Sequence, residues 1–180
     1  MVIAGLVPAH LLAWERSERH RRKSEEDQER LKDVIREEVI HKWQQEWNRE
    51  PNGQWTRSLI KDLSAWVNRK HGTVDFHTTQ MLSGHGCFGK YLWRFKKLDN
   101  PRCIDCGEPT DDAEHVMFRC GRWERDRRAL EVELEEPIGA NNIVEIMLKR
   151  NTNWEAVKRF IGRVQFRREE EERVRQKRNH

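Results

Sequence analysis

Long apolar runs are missing from this 180-residue chain. The longest candidate, residues 2–14 (VIAGLVPAHLLAW), is interrupted by Pro8. It falls short of the roughly 20 apolar residues that cross a bilayer. No basic stretch precedes it, so neither a signal peptide nor a membrane partner is expected. Charge of one sign is also lacking: 35 Lys and Arg face 31 Asp and Glu, for a net charge of +4. A uniformly basic, DNA-coating character is thereby excluded, and any nucleic-acid contact must come from local patches. Cysteine is scarce. Cys87, Cys103, Cys106 and Cys120 make a poor disulfide framework and suit a reducing, intracellular compartment, nucleus or cytoplasm. Absent too are an aromatic-x-Asp-Asp motif, a Gly-rich phosphate loop followed by Lys-Ser/Thr, and a His-Glu-x-x-His. Carboxylates instead follow the charged helices. No catalytic residue, no enzymatic activity for this chain alone and no small-molecule substrate are expected.

What is present is charge, at 37% of residues, against 36% apolar. A large core is therefore not expected. Eight tryptophans nevertheless argue against disorder, because each can bury a large area. Apolar residues recur at helical rather than strand spacing. Residues 2–14 suggest either a short helix through Leu12 or a loose terminus, and 15–33 a charged, solvent-exposed helix. Leu31, Val34, Ile35, Val39, Trp43 and Trp47 mark an amphipathic helix over 25–49, ended by Pro51-Asn52-Gly53. A second helix carrying Leu59, Leu63, Trp66 and Val67 is expected to pair with it through the tryptophans. Asp75 can cap a third, through Leu82, with Gly84 as its stop. Phe88, Tyr91, Leu92 and Phe95 share one helical face, with Lys90, Arg94, Lys96 and Lys97 on the other. Further helices are marked by Trp123, Arg127 and Leu130, by Ile143, Ile146 and Met147, and by Trp154, Val157, Phe160, Ile161 and Val164. The last runs into RREEEERVRQKR, which is expected to bury little and to fray.

The expected fold is all-α: a small helical assembly with an embedded CCHC zinc-knuckle-like loop and a frayed charged C-terminal helix. Four segments are expected: a linker over 1–24, a helical region over 25–100, the zinc segment with its following helix over 101–135, and C-terminal helices over 136–180.

The chemistry lies in Cys103-x2-Cys106-x8-His115-x4-Cys120. Thiolates and imidazole are the donors that zinc takes in a tetrahedron. Two cysteines separated by two residues can grip an ion from a tight turn, and Gly107 supplies the backbone freedom that turn needs. His115 and Cys120 can both face the ion only if the helix starts or kinks between them. Asp112 is placed to cap the helix carrying His115. A closed four-ligand site leaves no position for water, so Zn2+ here would be structural. His85 and Cys87 could form a second site, but Cys87 suits a small buried apolar position and His85 a turn.

The run Gln80-Met81-Leu82-Ser83-Gly84-His85-Gly86-Cys87-Phe88-Gly89-Lys90-Tyr91-Leu92-Trp93-Arg94-Phe95 resembles the segment before the zinc motif in arthropod non-LTR (LINE-type) retrotransposon polyproteins of the jockey-like and ribosomal-DNA-inserting classes. The opening Val2-Ile3-Ala4-Gly5-Leu6-Val7-Pro8, with Leu11-Leu12-Ala13, resembles the linker after their polymerase core. The likeness covers roughly residues 1–130. It implies a carboxy-terminal piece of a reverse transcriptase polyprotein, an RNA-directed DNA polymerase, without its polymerase or endonuclease core. It also implies that Cys103, Cys106, His115 and Cys120 are metal ligands in a segment that holds RNA or target DNA, with the polymerase part as a further partner. Basic residues flanking the metal are the expected contacts: Lys90, Arg94, Lys96, Lys97 and Arg102 before it, Arg119, Arg122 and Arg125 after it. The competing readings are a zinc-stabilised protein-interaction scaffold, with Trp43, Trp47 and Trp66 as an exposed strip, or a non-functional element remnant.

Overall fold

The computed structural model describes residues 2–23 and 27–178. Among these residues every regular element is helical and there is no strand, so the fold is all-α. The chain divides into two compact units, Met1–Lys70 and His71–His180. No helix among the described residues is long and apolar enough to cross a membrane.

The first unit is built on α1 (Ala9–Arg21) packed against α2 (Gln28–Arg49). α1 starts directly after Pro8 and joins the end of the apolar start to the beginning of the charged run, Glu15–Arg21, in one helix, while Gln28–Asp33 of that run open α2. Leu11 of α1 and Leu31, Ile35, Val39, Ile40 and Trp43 of α2 are buried; of the stripe expected from the spacing, Val34 is exposed and Trp47 half-buried, and Ile40 joins it. Glu15 is buried as well. It accepts hydrogen bonds from Arg19 at 2.6 Å and from Arg36 of α2 at 3.3 Å.

The single helix expected through Leu59 and Trp66 is two, α3 (Gln54–Leu59) and α4 (Leu63–Val67). The break is held by side chains of α2. Trp47 Nε1 donates to the Ile60 carbonyl at 2.9 Å. Gln44 donates to the Lys61 carbonyl at 3.0 Å and accepts from Leu63 N–H at 2.8 Å. Asp62 then caps α4 through Ala65 N–H at 3.0 Å. Backbone groups freed by the interruption are thus paired. Trp43 and Trp66 are buried and Trp47 is half-buried, so the three do not form the exposed strip that a scaffold role would use. The Trp66 indole donates to the Val2 carbonyl at 2.9 Å, which fastens the N-terminal turn to α4.

The second unit holds α5 (Phe76–Ser83), α6 (Gly89–Arg94), α7 (Glu124–Leu134), α8 (Ile143–Lys149) and α9 (Asn151–Arg178). Asp75 caps α5 through Thr78 N–H at 2.8 Å, and Gly84 ends it in the left-handed region, as expected. α5, α7 and α8 each pack on α9. Trp154, Val157, Phe160, Ile161 and Val164 are buried along its inner face.

Here the sequence expectation is corrected. The charged end does not fray after Val164: α9 continues to Arg178, and Gln165, Arg168 and Glu172 are buried. They extend the apolar stripe at the same helical spacing, so the packed face of α9 becomes polar without leaving the interior. α6 also departs from expectation. Phe88, its N-cap, is buried, but Phe95 is exposed. The helix stops at Arg94 in a Schellman turn. Lys97 N–H donates to the Leu92 carbonyl at 2.9 Å and Lys96 N–H to the Trp93 carbonyl at 2.8 Å, with Lys96 at φ 56°.

Candidate metal centre

Local backbone geometry makes the first half of the site. Cys103 N–H donates to the Glu108 carbonyl at 2.8 Å and Gly107 N–H to the Cys103 carbonyl at 2.9 Å, which closes a tight turn around Cys106. Gly107 sits at φ 77°, a conformation that side-chain-bearing residues rarely adopt.

The second half solves the problem of the five-residue step. In an α-helix, five residues advance about 500°, leaving the two side chains about 140° apart. The chain instead forms a π turn over His115–Arg119, closed by Cys120 N–H donating to the His115 carbonyl at 2.7 Å. This i to i+5 bond widens the turn and brings both donors to one side. Asp112 accepts from His115 N–H at 3.0 Å, the cap expected from the sequence. Arg127 reaches back from α7, and its Nη2 donates to the Cys120 carbonyl at 3.2 Å.

The ligand atoms of Cys103, Cys106, His115 and Cys120 all lie within 4.8 Å of one another. Cys120 Sγ is 3.9 Å from Cys103 Sγ and 3.9 Å from Cys106 Sγ, and Cys106 Sγ is 3.3 Å from His115 Nε2. Metal–sulfur bonds of about 2.3 Å in a tetrahedron would set sulfurs about 3.8 Å apart, and an imidazole nitrogen about 3.6 Å from sulfur. Donor type and spacing both fit, and the group could hold a metal ion. Cys103, His115 and Cys120 are buried while Cys106 is exposed, so the site faces water on one side.

Burial pushes the Cys120 thiol up to about 12, against the opposing hydrogen bond from the Arg122 backbone. Burial pushes Cys103 up too, against hydrogen bonds from the Cys106 and Asp105 backbones. Those N–H groups favour the thiolate, and a bound cation would favour it much more. His85 and Cys87 lie outside this cluster. The His85 ring stacks on Tyr91 with centroids 5.0 Å apart, and Cys87 is buried with its thiol pushed up to about 11 by burial.

The eight basic residues expected to contact nucleic acid are all exposed, but they are not equally available. Lys90 lies 3.5 Å from Asp112, and Arg119 lies 3.2 Å from Glu114. Arg102 donates to the Gly107 carbonyl at 3.1 Å. Arg122 is committed to structure: it pairs with Asp105 at 3.2 Å and with Glu171, and it lies over the Trp123 ring. Arg94, Lys96, Lys97 and Arg125 have no side-chain ion pair among the described residues.

The chain is similar to Pol polyproteins of insect R1 retrotransposable elements. It is 26% identical over 135 residues to the retrovirus-related Pol polyprotein from type-1 retrotransposable element R1 2 of Nasonia vitripennis, covering 75% of this chain and 33% of that one. The corresponding R1 polyprotein of Popillia japonica is 29% identical over 97 residues, 54% of this chain and 38% of that one. That of Bradysia coprophila is 23% identical over 94 residues, 52% of this chain and 9% of that one. The chain thus spans about a third of the length of the first two. No protein-family model and no solved structure match it.

Beside the donor cluster, the structure adds residues that sequence reasoning passed over. Asp111 is buried and paired with buried Arg168 of α9. Arg168 Nε also donates to the Cys87 carbonyl at 2.7 Å, and its Nη1 lies 3.7 Å from Asp105. Asp111 Oδ2 accepts from Gly89 N–H at 2.8 Å. A Cβ at Gly89 would meet Asp111 Oδ2 at 2.9 Å and the Arg102 carbonyl at 3.3 Å, so the close approach requires glycine. One buried ion pair therefore joins the Gly-rich run, the metal loop and the last helix. Its only sequence signal is a lone arginine in register with the apolar stripe.

Proposed function

We propose that this chain is a zinc-organised, nucleic-acid-binding module of a non-LTR retrotransposon reverse transcriptase polyprotein. Cys103, Cys106, His115 and Cys120 hold Zn2+, which supplies folding free energy to a loop with few apolar residues of its own. RNA or target DNA is held through phosphate contacts. Arg94, Lys96, Lys97 and Arg125 are the principal ones, and Lys90, Arg102 and Arg119 are the weaker ones. Arg122 is the weakest of the eight, because its exposed guanidinium is already paired with Asp105 and Glu171. The polymerase part of the element is the expected protein partner.

The observation that carries this reading is the convergence of three thiols and an imidazole in a unit where three cations on one short segment, Arg94, Lys96 and Lys97, have no ion pair among the described residues. The relatives' names support the retrotransposon context. The chain alone carries no polymerase chemistry in this reading. Its one adjacent pair of aspartates lacks the preceding aromatic, and Asp111 is neutralised by Arg168.

Metal analysis of the purified chain is expected to find one zinc per molecule. The electrophoretic shift of an RNA probe should weaken steeply with salt. Arg94→Glu, Lys96→Glu and Lys97→Glu together should weaken binding about equally across sequences. Unchanged binding by that triple variant, or a metal-free yet folded chain, would count against the reading.

A further inference from the structure

The segment Trp93-Arg94-Phe95-Lys96-Lys97 leaves two large aromatic side chains in water beside three cations. Trp93 is 48% exposed and Phe95 55% exposed. Phe95 is not isolated. Its ring packs against Tyr91 with centroids 4.8 Å apart, and Tyr91 in turn stacks on His85 at 5.0 Å and 26°. The Phe95 ring is tilted 54° to Tyr91, so the three rings form a small aromatic cluster with Phe95 at its exposed end. The segment is anchored: Phe88 is buried, and the Gly89 amide is bonded to Asp111. The Schellman turn at Lys96 turns the chain just past Phe95, so the aromatics sit on an ordered end.

A patch that binds only phosphates has no use for exposed aromatics, and a duplex keeps its base faces inside. Unpaired bases offer π faces to aromatic rings while their phosphates meet adjacent cations. We propose that Trp93 and Phe95, the latter backed by the Tyr91–His85 stack, are a platform for unpaired bases, with Arg94, Lys96 and Lys97 holding the flanking phosphates of a single strand. The inference rests on the nucleic-acid reading above and narrows it to single-stranded RNA or DNA. Both strand types share the recognised chemistry, an exposed base face on a polyanion.

The test uses the full chain with zinc and measures fluorescence anisotropy with three probes: a U20 RNA, a dT20 DNA and a 20-base-pair duplex. Trp93→Ala with Phe95→Ala should weaken binding of the single strands by about tenfold or more while leaving the duplex little changed. Trp93→Tyr with Phe95→Tyr should restore most of the loss, since a tyrosine ring still stacks. Both positions are exposed, so the thermal melting of the variants should match the parent. Unchanged single-strand binding by the alanine variant overturns the platform while leaving phosphate binding intact. Equal losses on single strand and duplex overturn it too, because the effect is then not stacking. If the parent chain binds none of the probes, the nucleic-acid reading fails and the platform with it. If sedimentation shows that the alanine variant loses self-association while its strand affinity is kept, the aromatics form a contact between copies and the proposal falls.

Discussion

Arg168 carries a permanent charge into the buried face of α9, one turn beyond Val164 and between buried Gln165 and Glu172. Burial alone pushes the guanidinium down, but Asp111 beside it, with lesser help from the nearby Cys87 and Cys103, holds it above its ordinary value. A buried pair of this kind contributes little net stability over an apolar replacement, whereas removing one partner strands the other. Arg168→Met is therefore expected to destabilise the chain by about 3 to 5 kcal/mol, read from the urea midpoint. Arg168→Met combined with Asp111→Leu should recover part of that loss, because no lone carboxylate is left buried. Cys87 is the second residue with a measurable consequence. Burial raises its thiol to about 11 from an ordinary 9.0, and Arg168, Glu172, Arg175 and Glu169 modulate that in smaller, opposing steps. The folded chain thus holds this proton more tightly than the unfolded chain does. The associated stability is complete below about pH 9 and is lost as the pH climbs toward 11. The stability of Cys87→Ala should fall less steeply over that interval, by about 2 to 3 kcal/mol in total, in denaturation curves of the zinc-loaded protein.

Among the elements, the π turn does the work that makes five-residue ligand spacing usable. Its i to i+5 bond, the Asp112 cap and the Arg127 clamp orient His115 and Cys120, but the loop from Cys103 to Asp112 has few buried apolar residues to hold it. If the metal completes this element, chelation should remove helical ellipticity and expose three thiols to a chromogenic reagent, with Cys87 remaining slow. Full ellipticity after chelation would show that the turn stands without an ion. The end of α6 makes a second prediction. Lys96 occupies the left-handed position of a Schellman turn that glycine fills without strain. Lys96→Gly should stabilise the folded chain by about 1 kcal/mol in thermal unfolding. It should also weaken any phosphate contact made through Lys96.

At the scale of the whole molecule, two units divide the labour. Met1–Lys70 is organised by α1, α2 and buried tryptophans, and His71–His180 contains the metal cluster, the Gly-rich run and the cationic aromatic segment. A piece comprising residues 71–180 is expected to fold on its own, to take up one metal ion and to retain single-strand binding. Loss of metal uptake in that piece would show that the first unit is needed to build the site. Much of this was legible in one dimension. Helical periodicity located the buried faces of α2 and α9, because a packed helix must repeat its apolar contacts every three to four residues. The Cys-x2-Cys pair, Gly107, Asp112 and the following His and Cys located the donor cluster, because a tight turn and a cap are local events. The rest depended on residues distant in sequence. Gln44 and Trp47 broke what read as a continuous helix at Ile60, and Asp111 drew Arg168 into the interior from 57 residues away. The linear chain by itself thus determined helix type, buried stripes and donor chemistry, all set by neighbours within a few residues. Only the tertiary structure decided which charges would be paired within the fold, Arg168 in its interior and Arg122 at its surface, and which would stay free for a partner, since a charge's fate depends on the opposite charge that packing brings beside it.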